Sequence, residues 1–298
     1  MKIRVAVVGY GNIGKCAVEA IRTASDMELA GVVEIAEVVQ SHKNPALLMV
    51  SDVKELGKVD VAILCCPSRS VPEIANQYLA LGINTVDCFD IHGDALFDLH
   101  RQLNELGKNY NTVSVISAGW DPGSDSIIRA LFEALAPKGI TYTNFGPGMS
   151  MGHSVVAKSK NGVRNALSMT IPEGAGIHRR MVYVELLPNA DFAEVEKNIK
   201  TDAYFSKDNT TVIPVDNVDA VLDMGHGTMI ERKGVSGGTH NQLFEYRMKI
   251  NNPALTAQIM VSCARATLRQ QSGAYTMLEI PVIDLLPGDR EALVKRLV

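Results

Sequence analysis

Residues 3 to 14 read Ile3-Arg4-Val5-Ala6-Val7-Val8-Gly9-Tyr10-Gly11-Asn12-Ile13-Gly14, and the helical pattern Lys15 to Thr23 follows at once. This is a G-x-G-x-x-G turn with a strand before it and a helix after it. The three glycines meet different demands. Gly9 makes the tight turn, Gly11 lets the backbone approach a pyrophosphate, and Gly14 lets the helix lie close on the strand. The helix N-terminus then presents free N–H groups and a partial positive charge to an anion. The stretch predicts a dinucleotide site contacted by Gly9, Tyr10, Gly11, Asn12 and Ile13. The alternative is a glycine-rich turn with a purely structural role.

Outward from this turn, apolar runs at 3–8, 28–33, 60–65, 83–86 and 112–116 alternate with helical patterns at 13–23, 71–81 and 93–107. Near-continuous Val/Ile/Leu strands separated by helices predict an α/β fold, a Rossmann-type doubly wound parallel sheet covered on both faces. After Pro122-Gly123 and a helix at about 124–136 the character changes. Ile140 to Phe145, Met181 to Leu187, Thr211 to Val215, Thr228 to Arg232 and Leu243 to Ile250 read as strands of a second α+β domain with a mixed or antiparallel sheet. A last long helical pattern, Ala254 to Gln270, reads as a core helix returning to the first domain. The expected division is a dinucleotide-binding domain over 1–120, completed by about 253–298, and a substrate-binding and dimerisation domain over 121–252.

Bulk properties narrow the function. The 298 residues are 46% hydrophobic and 21% charged, ordinary globular composition. A net charge of -4 gives no basic field for a phosphate backbone, so nucleic-acid binding is not expected. Five cysteines, Cys16, Cys65, Cys66, Cys88 and Cys263, suit buried thiols in a reducing compartment. Cys65 and Cys66 adjoin on a predicted strand and would point to opposite faces, so no metal site is readable. The first apolar run begins at residue 3, leaving no room for a signal peptide, and no apolar stretch approaches the roughly 20 residues that cross a bilayer. The expectation is a soluble, cytoplasmic chain.

The residue ending the second strand of such folds meets the adenosine ribose, and an acid there accepts hydrogen bonds from its hydroxyls. Glu34 holds that place after Gly31-Val32-Val33. Its carboxylate would repel a 2′-phosphate by about 1 to 4 kcal/mol at contact, which favours NAD over NADP. The alternative turns Glu34 to solvent and lets His42, Lys43 or Arg69 meet a phosphate.

In open α/β sheets ligands lie beyond the carboxyl ends of the strands. Cys66-Pro67-Ser68-Arg69-Ser70 is a polar turn placed to touch the cofactor, through Cys66, Pro67, Ser68 and Ser70. Asp87-Cys88-Phe89-Asp90-Ile91-His92-Gly93-Asp94 and Ser117-Ala118-Gly119-Trp120-Asp121-Pro122-Gly123 place Asp90 and Asp121 near where a nicotinamide should end. Two carboxylates there suit a cationic amino group: they hold the ammonium, and one helps remove a proton so that hydride leaves from a neutral amine. Each Asp alone could instead cap the following helix. Trp120, the only tryptophan, suits a site wall or a core plug. In the second domain Phe145-Gly146-Pro147-Gly148-Met149-Ser150-Met151-Gly152-His153 is a glycine-rich loop. Arg180, His226 and Asn252 are candidates for holding a carboxylate, arginine because its fork matches that group.

Together Gly9 to Gly14, Val86 to His92, Ser117 to Gly123, Asn144 to Ser154 and Asn251 to Thr256 resemble meso-diaminopimelate dehydrogenase, from residue 3 to about 290. The short connection between Thr170 and Arg180 resembles the family's shorter subtype, which takes a wider range of D-amino acids. The resemblance implies reversible NADP-dependent oxidative deamination at the D-centre of meso-2,6-diaminopimelate, giving L-2-amino-6-oxopimelate and ammonia, in lysine and peptidoglycan precursor metabolism. It implies a homodimer with a small-molecule amino acid substrate. Asp90, Trp120, Asp121, Phe145, Met151 and Gly152 would surround the reacting centre. Thr170, Arg180 and His226 would hold the distal carboxylate with Asn252 beside them, and His153 belongs to a matching motif.

The chain departs from the family at one place, where Glu34-Ile35 stands for the Arg-Arg pair that commonly clamps the 2′-phosphate. Two other readings compete: a related reductase or dehydrogenase acting on a hydroxyl or cyclic imine, and a non-catalytic dinucleotide sensor.

Overall fold

The structure is a computed structural model and describes residues 2–91, 93–222 and 225–298, so His92 of the quoted motif lies outside the described residues. In order along the chain come β1 (Ile3–Val8), α1 (Asn12–Thr23), β2 (Met27–Val33), α2 (Ala36–Ser41), β3 (Met49–Val50), β4 (Val61–Leu64), α3 (Val71–Ala80), β5 (Asn84–Asp87), α4 (Asp94–Tyr110), β6 (Val113–Ile116) and α5 (Ser124–Leu135). They are followed by β7 (Lys138–Phe145), β8 (Gly148–Met149), α6 (Met151–Lys158), β9 (Val163–Gly174), β10 (Ile177–Leu186), α7 (Phe192–Lys200), β11 (Asn209–Pro214), β12 (Gly225–Ser236), β13 (Thr239–Asn251), α8 (Asn252–Thr267), β14 (Gly273–Thr276) and α9 (Arg290–Leu297). Two compact units divide the chain, Met1–Ile127 with Pro253–Val298, and Ile128–Asn252.

The first unit holds a seven-stranded sheet in the order β14-β6-β5-β4-β1-β2-β3, every neighbouring pair parallel. Strand order reverses at β1, as in doubly wound folds, which puts a ligand crevice at its carboxyl end. The strands are apolar throughout because helices cover both faces: Val5, Ala6 and Val7 in β1 and Val61 to Leu64 in β4 are fully buried. Helix α1 follows from its spacing. Gly14, Ala17, Val18 and Ile21 fall on one buried face, while Lys15, Glu19 and Arg22 are exposed. Truncating Ile21 to Ala would cost about 2 to 5 kcal/mol.

Two strands escape the sequence pattern. β3 has only two residues, and β14 has only four. β14 pairs with β6, Gly273 opposite Val113, and so places the C-terminal segment in the first unit.

The second unit has two sheets. β13-β12-β7 is antiparallel; in β11-β10-β9-β8 the β9–β10 hairpin is antiparallel and β11 joins β10 in parallel. Ala157 of α6 and Val195 and Ile199 of α7 pack with Val182 and Val184 of β10 and with Phe205, which is fully buried. The sequence pattern hid α6, α7 and β9 for two reasons. The helices run for only eight and nine residues, too short for a clear period, and β9 buries the polar Ser168 and Thr170 where a strand pattern expects apolar residues.

Candidate active site

The glycine turn is closed toward the sheet and open toward a ligand. A Cβ on Gly9, whose φ is +93°, would lie 2.6 Å from Cys65 O, and one on Gly14 would lie 2.1 Å from Gly9 O. One on Gly11 would meet nothing within 4 Å, so the free space is where a pyrophosphate needs it. No side chain caps α1, which leaves the N–H groups of its first turn to an anion. These residues fit a dinucleotide.

Glu34 faces this turn. Its Oε1 accepts the Tyr10 N–H at 2.7 Å and its Oε2 accepts the Ile35 N–H at 2.9 Å. The carboxylate therefore sits at the end of β2 beside Tyr10, whose ring meets His42 edge-on and Lys15 Nζ at 5.9 Å. Lys43 and Arg69 are exposed.

Beyond β4, Cys66 and Pro67 lead into a single turn of 3-10 helix, Ser68–Ser70, that opens α3. Burial pushes the Cys66 thiol up to about 11, so it stands neutral at pH 7. The Ser68 hydroxyl donates to Asp90 Oδ1 at 2.6 Å and accepts the Asp90 N–H at 3.2 Å. The stretch expected to touch the cofactor thus touches one of the two carboxylates expected to carry the chemistry.

Asp90 and Asp121 lie beyond the carboxyl ends of β5 and β6, which are adjacent strands. Helix α4 begins at Asp94 with Gly93 in its N-cap position, and α5 begins at Ser124. Asp90 is exposed, Asp121 half-buried and Trp120 buried. The loop around Trp120 and Asp121 is very tight. Gly119 N–H donates to Pro122 O at 3.1 Å, and a Cβ on Gly123 would fall 1.9 Å from Gly119 O.

One residue here is not legible as a site residue in the sequence. Asp87, the last residue of β5, is fully buried, and its Oδ1 accepts the N–H groups of Phe89 at 2.9 Å and Ser117 at 3.1 Å. Burial raises its pKa to about 6 against the opposing pull of those two hydrogen bonds. The neighbouring thiols of Cys66, Cys88 and Cys263 are all pushed up by burial, Cys88 to about 12, and stay uncharged.

In the second unit the register of β9 and β10 sets Thr170 opposite Arg180. The Arg180 guanidinium donates from Nη1 to the Thr170 hydroxyl and from Nε to Asp208 Oδ2, the latter at 2.6 Å. Thr170 is buried and Arg180 half-buried. Phe145 N–H donates to His178 Nε2 at 2.8 Å, with the two rings 5.4 Å apart. Accepting at Nε2 puts the proton of His178 on Nδ1, and burial, then the Arg180 charge, lowers its pKa against the opposing Asp208. Met151 and Gly152 open α6. His153 shares a 2.8 Å hydrogen bond with the Ser150 hydroxyl and meets the rings of Tyr204 and Phe205 edge-on, so it also serves the packing of that helix. His226 is buried, donates from Nδ1 to Gly227 O at 2.9 Å, and lines a cavity of about 570 Å³ with Thr228, Arg247 and Lys249. Asn252 is buried at the start of α8. The structure thus brings Thr170 and Arg180 together and adds Asp208, which lies too far off in sequence to be read as a partner of Arg180, while His178, two residues before Arg180, meets the distant Phe145.

Known proteins match both units. Residues 3–87 match the oxidoreductase family with an NAD-binding Rossmann fold, and residues 119–179 match the diaminopimelic acid dehydrogenase C-terminal domain. A Corynebacterium glutamicum DAP dehydrogenase, solved in complex with DAP, superposes with a TM-score of 0.89 at 30% identity, covering 100% of this chain and 99% of that one. An engineered D-amino acid dehydrogenase bound to NADP+ superposes at 0.87 with 29% identity, all of both chains covered. The meso-diaminopimelate D-dehydrogenase of Bacteroides fragilis is 60% identical over 100% of this chain and 99% of its own length. A glycine cradle on a doubly wound sheet, two carboxylates at neighbouring strand ends and full-length identity at this level leave one assignment: the chain belongs to the meso-diaminopimelate D-dehydrogenase family.

Proposed function

We propose that this protein catalyses the reversible NAD(P)-dependent oxidative deamination of meso-2,6-diaminopimelate at its D-centre, giving L-2-amino-6-oxopimelate and ammonia, and accepts other D-amino acids. The observation that carries the reading is the placement of Asp90 and Asp121 beyond adjacent strands of the sheet that bears the dinucleotide cradle. Gly9, Tyr10, Gly11, Asn12 and Ile13 would hold the dinucleotide, with Glu34 at the ribose and Cys66, Pro67, Ser68 and Ser70 along it. When bound, it supplies the hydride acceptor.

The chain's own residues would do the rest. Asp90 and Asp121, as carboxylates, hold the substrate ammonium, and one of them takes its proton so that the α-carbon hydride leaves from a neutral amine. The substrate becomes an imine, and water adds to its carbon and displaces ammonia. Trp120 walls this end and limits water; Phe145, Met151 and Gly152 belong to the substrate site in the same reading, and His153 lies in the motif beside them. Arg180 and Thr170, with His226 and Asn252, receive the distal carboxylate, for which a guanidinium fork is the fitting partner.

Glu34 supports NAD as the better cofactor, since its carboxylate ends β2 beside the glycine turn and no Arg pair follows it. A homodimer is part of the same reading, supported by the exposed Ile140 and Leu243 on the three-stranded sheet. So is a cytoplasmic location, supported by five free cysteines; no described helix is long and apolar enough to cross a membrane.

Steady-state rates with meso-diaminopimelate and with simple D-amino acids, each with NAD and with NADP, test the reaction and the cofactor together. Ammonia-dependent oxidation of the reduced cofactor by the oxo acid is the expected reverse reaction. Turnover of a hydroxyl or cyclic imine substrate without ammonia would overturn the reading, as would redox-dependent assembly with no turnover.

A further inference from the structure

The β5–β6 ladder stops early. Its last registered pair is Val86 with Val115, yet the two loops that matter leave the sheet just beyond, at Phe89-Asp90 and at Ser117 to Asp121. Side chains take over where the backbone ladder ends. Oδ1 of Asp87 accepts the N–H of Phe89 from one loop and the N–H of Ser117 from the other. Ala118 N–H donates to Asp87 O at 2.7 Å, and the Ser117 hydroxyl returns the tie by donating to Phe89 O at 2.8 Å. Ser117 sits at φ +55°, a left-handed conformation that a residue with a Cβ adopts only when its surroundings hold it there. Asp87 Oδ2 is buried and accepts no hydrogen bond among the described residues, so the carboxylate is committed to the two amides rather than to the sheet or to solvent.

We propose that Asp87 is a positioning residue for this reaction: by holding Phe89 and Ser117 on one oxygen, it fixes the loop of Asp90 relative to the loop of Trp120 and Asp121. It touches neither substrate nor cofactor in this scheme. Hydrogen bonds to an ionised group are stronger than neutral ones, and here two such bonds hold groups whose misplacement by an ångström is costly in rate. The proposal rests on the reading of Asp90 and Asp121 as the groups that meet the amine.

Trp120, the single tryptophan, makes the test direct, because all indole fluorescence reports the second loop. In Asp87→Leu, kcat should fall by about 30-fold or more, while the dinucleotide Kd stays within about threefold. Acrylamide should quench Trp120 more strongly than in the parent enzyme, at temperatures where far-ultraviolet circular dichroism is unchanged. Asp87→Asn, which keeps an acceptor oxygen for both amides, should recover kcat to within about fivefold of the parent. Should Asp87→Leu not fold, Ser117→Ala removes the return tie and should lower kcat by about 2- to 10-fold with raised Trp120 quenching. Parent-like rate and quenching in the variant that folds overturns the proposal, as does a rate loss that merely follows the unfolded fraction. Fully active Asp90→Ala and Asp121→Ala would overturn the underlying reading. If those two are inactive while Asp87→Leu keeps its rate and quenching, the clamp alone is wrong.

Discussion

At the strand ends of the first unit, the loops of Asp90 and of Trp120-Asp121 are held through backbone, by the Asp87 carboxylate on two amides and by a turn that only glycine can close at residue 123, while the Ser68 hydroxyl meets the Asp90 carboxylate itself. In the second unit Arg180 is held through its own charged head, by Asp208 and Thr170. The first arrangement sets a neutral hydroxyl, rather than a competing charge, against the Asp90 carboxylate. The second must give up part of an existing ion pair before a ligand anion gains full use of the guanidinium. A catalytic end that must be ready and a recognition end that can trade partners are different design problems, and the two sets of contacts answer them differently.

The largest break in that contrast comes from the carboxylates themselves. Asp90→Ala and Asp121→Ala should each lower kcat for amine oxidation by about 10²- to 10⁴-fold, with dinucleotide affinity measured by titration near that of the parent. A rate within about threefold in both would remove the proposed site.

Next in size is a pH effect confined to the first unit. Asp87 titrates at about 6 in the folded chain against an ordinary 3.8. Below both values each state carries the proton, and the stability tied to the protonated carboxyl is fully present. Between them the folded chain keeps a proton that the unfolded chain has lost, so this contribution falls as pH rises and is fully lost above about 6. The difference is worth about 3 kcal/mol. Urea unfolding at pH 4 to 7 should show Asp87→Asn gaining on the parent by roughly that amount across the interval. A constant difference between the two would refute it.

How far these features were legible differs between the units for a physical reason. Gly9, Gly11, Gly14 and Glu34 could be read because a strand, a turn and a helix form one local unit whose demands appear within about 30 residues. Asp90 and Asp121 could be named as candidates because parallel sheets present ligands at strand ends. Asp87 was not, since an Asp closing a strand looks like a turn signal and only the neighbouring strand reveals the Ser117 amide. Asp208 lies 28 residues from Arg180 and His178 lies 33 from Phe145, pairings that depend on strand register and on β11 adding in parallel. Register is invisible until the sheet exists. β14 was missed likewise, as a four-residue strand whose partner stands far earlier in the chain.

Two predictions sharpen the recognition side. Arg180→Met should raise KM for meso-diaminopimelate by about 10- to 100-fold, the worth of one charge-assisted pair, and should barely change KM for a D-amino acid with no distal carboxylate. Equal losses for both substrates would show that Arg180 serves the fold instead. Glu34→Gln keeps an acceptor for Tyr10 N–H but removes the charge, so the ratio of kcat/KM with NADP to that with NAD should rise by about fivefold or more. An unchanged ratio would place the 2′-position away from Glu34.

The smallest expected effect tests the trade of partners itself. Asp208→Asn keeps an oxygen near Arg180 Nε and removes the competing anion, so the guanidinium should bind a distal carboxylate more tightly. The pair is part-exposed, with side chains 15% and 26% accessible, so solvent screening holds the gain to about 0.5 to 1 kcal/mol, or a two- to fivefold fall in KM for meso-diaminopimelate. Simple D-amino acids provide the control, since they bring no second carboxylate and should keep their KM. The opposite sign is also informative: a rise in KM for meso-diaminopimelate alone would mean that Asp208 orients Arg180 for the ligand, and that a pre-formed ion pair positions the fork more than it occupies it.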